Sequence, residues 1–352
     1  MDWKKALATA IRQPGELLRA VGLHPRQLPE AIDDATDFPL RIPRAYVERM
    51  RHGDPNDPLL RQVLALRRER ETAAGYALDP VGDGPATRQP GLLQKYHGRA
   101  LIITTGACPV HCRYCFRRHF PYDEARAGAD DWRDTLAHIA ADASISEVIL
   151  SGGDPLSLDT PRLRRLTEGL RAIPHVRRLR IHSRMPVVLP ARIDDEFLAW
   201  LGGLPWRTVM VIHANHGNEI DAGVTRGLRR IQAAGVTLLN QAVLLRGVND
   251  SVATLADLSE GLFTAGVLPY YLHQLDRVQG AAHFAVGDAR ARELTDQLRR
   301  QLPGYLVPRL VREQPGAPYK QLAESGEQTA GMTSRSADKS LKAQQKSAET
   351  GL

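Results

Sequence analysis

Cysteine is almost missing from this chain: among 352 residues there are three, all between positions 108 and 115. A disulfide framework is thereby excluded, and an odd number cannot fully pair within the chain, so a metal site becomes the leading reading. No apolar run approaches the roughly 20 residues that span a bilayer. The opening Met1-Asp2-Trp3-Lys4-Lys5-Ala6 lacks the apolar stretch and small-residue cleavage site of a secretory signal. A cytoplasmic protein without a membrane partner is expected. Aromatics are only 5%, and the net charge of +7 is spread thinly. Residues 1–100 carry 16 basic and 13 acidic side chains, residues 101–321 carry 27 and 23, and residues 322–352 carry 4 and 4. A nucleic-acid binder concentrates its cations on one element, often with interleaved aromatics; here the excess reads as a solvated surface, and no nucleic-acid partner is expected.

What is present is globular composition, 43% hydrophobic and 25% charged, in a chain long enough for a sizeable core. Residues 1–95 read as a helical region punctuated by Pro and Gly, with Leu59, Leu60, Val63, Leu64 and Leu66 near helical spacing. From Arg99 the texture changes. Six short apolar runs, Leu101 to Thr104, Glu147 to Leu150, Arg178 to His182, Thr208 to His213, Val236 to Leu245 and Pro269 to Leu275, are separated mostly by helix patterns such as Pro161 to Ile173, Asp194 to Leu201, Val224 to Ala234 and Ala253 to Phe263. Strand and helix in alternation give an α/β class with a parallel sheet, because parallel neighbours need a crossover. Periodicity leaves an open doubly wound layer and an incomplete barrel equally available. Residues 96–321 form this domain, and residues 322–352, polar and rich in Ser, Ala, Lys and Gln, read as a disordered tail.

Two loops carry the chemistry. Directly after the first predicted strand stands Cys108-Pro109-Val110-His111-Cys112-Arg113-Tyr114-Cys115-Phe116, whose thiolates can converge on one metal centre. Three ligands are too few for a closed zinc site unless His111 or His119 adds a fourth. Bound to a 4Fe-4S cluster, three thiolates leave one iron open to a substrate or cofactor. After the second strand comes Ser151-Gly152-Gly153-Asp154-Pro155-Leu156, where paired glycines allow a backbone to approach a ligand closely and Asp154 can accept from a cationic amine. Both loops fall on the C-terminal rim of a parallel sheet, where active sites of such sheets are built.

These two motifs resemble the signature of the radical S-adenosylmethionine (SAM) superfamily. The resemblance implies a partial (β/α)6 barrel, a cluster whose open iron binds SAM, and reductive cleavage of SAM to a radical that abstracts hydrogen, with electrons from an external donor. Further segments narrow the resemblance to the lysine 2,3-aminomutase family. They are Tyr96-His97-Gly98-Arg99, Cys115-Phe116-Arg117-Arg118, Ile181-His182-Ser183-Arg184-Met185-Pro186-Val187, His213-Ala214-Asn215-His216-Gly217-Asn218-Glu219, Asn240-Gln241-Ala242-Val243-Leu244-Leu245-Arg246-Gly247-Val248-Asn249-Asp250, Pro269-Tyr270-Tyr271-Leu272-His273-Gln274-Leu275-Asp276 and Glu313-Gln314-Pro315-Gly316-Ala317-Pro318-Tyr319-Lys320.

That family implies an isomerase that moves an amino group of lysine with pyridoxal 5'-phosphate (PLP) held as a Schiff base by a lysine. Lys320 is the only lysine between Arg99 and the tail, and it matches the family's PLP-lysine segment. Lys95, Tyr96 and Arg99 resemble the PLP-contacting segment, with cations suited to the phosphate. Gly152, Gly153, Asp154, His213 and Gln241 are implied cofactor contacts. Arg117 is implied to hold the substrate carboxylate through two parallel hydrogen bonds, and Asp276 and Glu313 its side-chain ammonium. Glu313 departs from the Asp typical of the free-lysine enzymes. Met50-Arg51-His52-Gly53-Asp54-Pro55-Asn56-Asp57-Pro58-Leu59-Leu60 resembles the branch that makes (R)-β-lysine for elongation factor P, which implies a functional link to that factor and its β-lysine ligase. Two other readings stay open: a radical SAM enzyme acting on RNA, and a non-enzymatic zinc module.

Overall fold

The computed structural model describes residues 2–125 and 132–323. One ten-stranded sheet runs in chain order: β1 (Thr87–Gln89), β2 (Leu92–Leu93), β3 (Arg99–Ile103), β4 (Glu147–Ser151), β5 (Arg178–Ser183), β6 (Arg207–Ile212), β7 (Thr237–Leu244), β8 (Leu268–Gln274), β9 (Arg309–Arg312) and β10 (Gln321–Leu322). Strands β3 to β9 are parallel neighbours. At the edges β1, β2 and β10 pair antiparallel. Strand order decides between the two architectures: a doubly wound sheet reverses direction at a switch point, whereas here every crossover advances the same way. The result is the partial barrel, curved around a central cavity.

The six expected strands are all present, within two residues of the runs read from the sequence. A seventh parallel strand, β9, joins them. Its Arg-Leu-Val-Arg is too short to stand out by pattern and owes its place to β8 on one side and β10 on the other. Because β10 begins at Gln321, Leu322 belongs to the sheet rather than to the polar tail; residues 324–352 lie outside the described residues.

The helices covering the sheet start where short polar side chains cap them. Asp159 accepts from Arg162 N–H, Asp194 from Phe197 N–H, Asp221 from Val224 N–H and Ser251 from Thr254 N–H, each such cap contributing about 1 kcal/mol. On helix Thr160–Arg171 the spacing of Leu163, Leu166 and Leu170 turns all three inward, fully buried, and burying each contributes roughly 2 kcal/mol.

The N-terminal region differs from the expected helical unit. It consists of short helices, Trp3–Ala8, Pro14–Ala20, Arg44–Val47 and Pro58–Arg61, joined by irregular chain and by isolated bridges such as Ile11 to Ile42. Within this region helix Pro14–Ala20 stops two residues before Gly22, which takes a positive φ of +69°. Its apolar residues, among them Leu17, Tyr46 and Leu59, share one hydrophobic core with the barrel, and the β1–β2 hairpin within residues 1–95 already belongs to the sheet.

Candidate active site

The C-terminal ends of six of the seven parallel strands feed groups toward a cavity of about 500 Å³, and β7 lines it from within the strand. The cysteine loop follows β3, Gly152 to Asp154 follow β4, Arg184 follows β5, His213 follows β6, Asp276 follows β8 and Glu313 follows β9. All fifteen residues singled out from the sequence line this cavity.

At the cysteine end, two loops meet backbone to backbone. Gly153 N–H donates to Thr105 O at 2.7 Å and Asp154 N–H to Ala107 O at 2.8 Å. A Cβ at Gly153 would lie 2.4 Å from Ala107 O, and one at Gly152, whose φ is +123°, 2.6 Å from Thr105 O. The glycines therefore serve close approach, as expected, but to the cysteine loop rather than to a ligand. Asp154 also differs from its expected role. Its carboxylate already accepts from Leu156 N–H, Ser183 Oγ, Arg184 N–H and Met185 N–H, which exhausts about four acceptor sites. Burial still pushes it up to about 6. Asp154 ties the β4 loop to the β5 loop and has no spare lone pair for an amine.

Burial, then neighbouring acid and thiol groups, push Cys108 up; burial and Cys112 push Cys115 up to about 11. Such thiols ionise together only when cations share them. Among the described residues no three His, Cys, Asp or Glu side chains are arranged around a single metal ion. Three thiols on one loop, all lining the cavity, fit a polynuclear cluster in which each thiolate takes a different iron.

The other end of the cavity is dense in charge. Lys320 Nζ donates to Glu313 Oε2 at 2.6 Å and stands 6.0 Å from the Tyr271 ring centre. Lys95 Nζ donates to Val81 O at 2.9 Å and Glu313 Oε1 at 3.0 Å, and pairs with Asp83 at 2.7 Å. It is thus held inside the protein by two hydrogen bonds and an ion pair. Lys95 organises acids here, and does not offer the free cation expected for a phosphate. Burial pulls Glu313 up, but Lys320 and Lys95 together hold it down to about 2. Asp276 has the opposite fate: burial and the nearby Glu313 charge push it up to about 7. Arg117 gives Nε to Asp83 at 2.7 Å and Nη1 to Ser151 Oγ at 3.2 Å, which leaves Nη2 and the second Nη1 proton for a ligand. Arg99 lies 5.3 Å from the Tyr96 ring centre.

Asp83, 3% exposed as a side chain, joins Arg117 to Lys95 and was not singled out from the sequence. Nor were His182 and His273. With His213 they present three buried Nε2 atoms without a hydrogen-bond partner, and burial pushes all three rings down, His213 to about 3. They are neutral imidazoles on a cavity wall, available to a ligand. Alternation along β5 puts Arg180 and His182 on the cavity side, and along β7 Gln241 and Val243; polar side chains at every second position of an interior strand were the usable signal.

The sequence pattern of the radical SAM superfamily matches residues 102–258, and partial barrel, cysteine loop and rim together define a radical SAM enzyme. The chain is 47% identical over 320 residues to the L-lysine 2,3-aminomutase of Escherichia coli K12, covering 91% of this chain and 93% of that protein. It is 46% identical over 321 residues to that of Haemophilus influenzae, covering 91% and 95%, and 34% identical over 317 residues to that of Clostridium subterminale, covering 90% and 76%. This chain belongs to the lysine 2,3-aminomutase family, whose members are isomerases. Among the described residues no helix is long and apolar enough to cross a membrane.

Proposed function

We propose that this enzyme moves the α-amino group of lysine to Cβ. The reading rests on one observation: a single cavity has three cysteines at one end and, at the other, the barrel's sole lysine beside two acids. Cys108, Cys112 and Cys115 would hold the 4Fe-4S cluster, and Lys320 would hold PLP covalently. When bound, cluster and SAM supply a hydrogen-abstracting radical, and PLP supplies the conjugated system that spreads it during migration. The chain's own residues bind and orient. Arg117 offers two guanidinium protons to the α-carboxylate. Asp276 and Glu313 face the side-chain ammonium, an acidic pair that favours a cationic amino acid. Val110, Ile149, Val243 and Val311 line the cavity with apolar surface and exclude water. The unpartnered His213 Nε2 and the Gln241 amide are available to SAM.

The test is anaerobic incubation of the loaded enzyme with SAM, a reductant and (S)-lysine, followed by chiral analysis. β-Lysine is the expected product, with a PLP absorbance that borohydride fixes on Lys320. A fully loaded enzyme that forms no β-lysine overturns the reading, and absence of PLP absorbance favours RNA as substrate instead.

A finer proposal is that the product is (R)-β-lysine destined for elongation factor P through its ligase in the cytoplasm. It is supported by the Met50 to Leu60 segment alone. Inside that segment Asp57 accepts from Arg51, Leu59 and Leu60 N–H groups, so part of the motif serves local folding. Mass measurement of elongation factor P from cells lacking this chain should find the β-lysyl group missing; an unchanged mass removes the link.

A further inference from the structure

We propose that Arg184 sets the reduction potential of the cluster by way of Cys112. The proposal rests on the three cysteines being cluster ligands, as argued above. Arg184 follows β5, and its backbone N–H donates to Asp154 Oδ2 at 2.8 Å; the acid of the β4 loop thus fixes where this side chain begins. The side chain, 6% exposed, then runs between the N-terminal region and the barrel. Nη2 donates to Gln62 Oε1 at 2.7 Å, Glu219 Oε2 at 2.9 Å and Tyr46 OH at 3.1 Å. Nη1 donates to Tyr114 OH at 2.5 Å and to Cys112 Sγ. Among the described residues, Cys112 is the one cysteine whose sulfur accepts from a charged side chain.

A guanidinium keeps its proton at any physiological pH, and in a buried site its field is weakly screened. Hydrogen bonds to cluster sulfurs and the net charge around them are levers on potential. A fixed cation against one thiolate stabilises the electron-richer state, and so eases reduction. Glu219 works the other way. Fully buried, it accepts from Asn215 N–H, His216 N–H and Gln62 Nε2 through one oxygen and from Arg184 through the other. Arg184 and Glu219 therefore form an opposed pair with only the arginine touching sulfur. Arg184 is a positioning residue, acting on the cluster through its ligand.

The experiment is an EPR-monitored redox titration of the anaerobically reconstituted full chain, with SAM left out so that the cluster alone is read. Arg184→Met should lower the midpoint by the equivalent of a tenfold fall in the reduced-to-oxidised ratio, about 59 mV for one electron. Arg184→Lys, which keeps the charge without the fork, should lower it less. Glu219→Gln, which leaves the arginine and removes its counter-charge, should raise it. Neighbouring substitutions with opposite signs are not what a purely structural role produces. An unchanged midpoint in Arg184→Met at wild-type iron and sulfide content overturns the proposal, and so does a Glu219→Gln midpoint that falls or stays put. If Arg184→Met loses its cluster, the other two variants decide. A wild-type chain that takes up no iron and sulfide removes the reading of the cysteines and this proposal together; a full cluster with unmoved variants removes only the proposal.

Discussion

The two ends of the cavity are built on opposite plans. At the cysteine end the three thiols are neighbours in sequence, and the loop that carries them is seated by backbone: glycines without side chains let two loops touch, and Asp154 spends itself on four donors. At the lysine end the groups come from positions 83, 95, 117, 276, 313 and 320, and charge holds them. The first plan fixes shape and tolerates no added atom. The second fixes balance and tolerates no lost charge.

Substitutions can break that contrast. The largest effects should come from the liganding groups themselves. Replacing Cys108, Cys112 or Cys115 with Ser should lower SAM cleavage by roughly a thousandfold or more, measured as 5'-deoxyadenosine formed. Lys320→Ala should lower β-lysine formation as severely while iron content stays at the wild-type level; loss of both together would mean that the ends are not separate. Next in size is Asp83→Asn. It leaves Arg117 and Lys95 short of a buried counter-charge and should cost about 3 kcal/mol in a denaturant melt, with iron content unchanged. Gly153→Ala should do the reverse, costing about 2 kcal/mol through overpacking against Ala107 O and reducing iron per chain, because the cysteine loop must shift. The smallest effect concerns pH. Asp276, raised to about 7, is protonated below that pH and ionised above it, and only the ionised form pairs with an ammonium. The KM for lysine should therefore rise about tenfold as pH falls from 8 to 6, and Asp276→Asn should flatten that dependence.

The same contrast explains what was legible. The strands from β3 to β8 announce themselves by apolar runs, and the cysteine and glycine loops by local spacing, since both are short-range patterns. β9 and β10 are not legible in this way, because two or four residues acquire their conformation from the strands beside them. The amine end is likewise non-local. Lys320 stands out through the match of its segment to the family's PLP-lysine segment, while Asp83 opens the four-residue helix Asp83–Ala86 between two glycines and has its partners 12 and 34 residues away. Lys95, which the resemblance assigns to the phosphate, lines the cavity with carboxylates as its neighbours in space.

Glu313 ends up satisfied from within, clamped between Lys320 and Lys95. A visiting ammonium consequently meets an acid whose charge is already shared with two resident amines, and has to compete with them for it. The barrel thereby carries a built-in rival for its own guest.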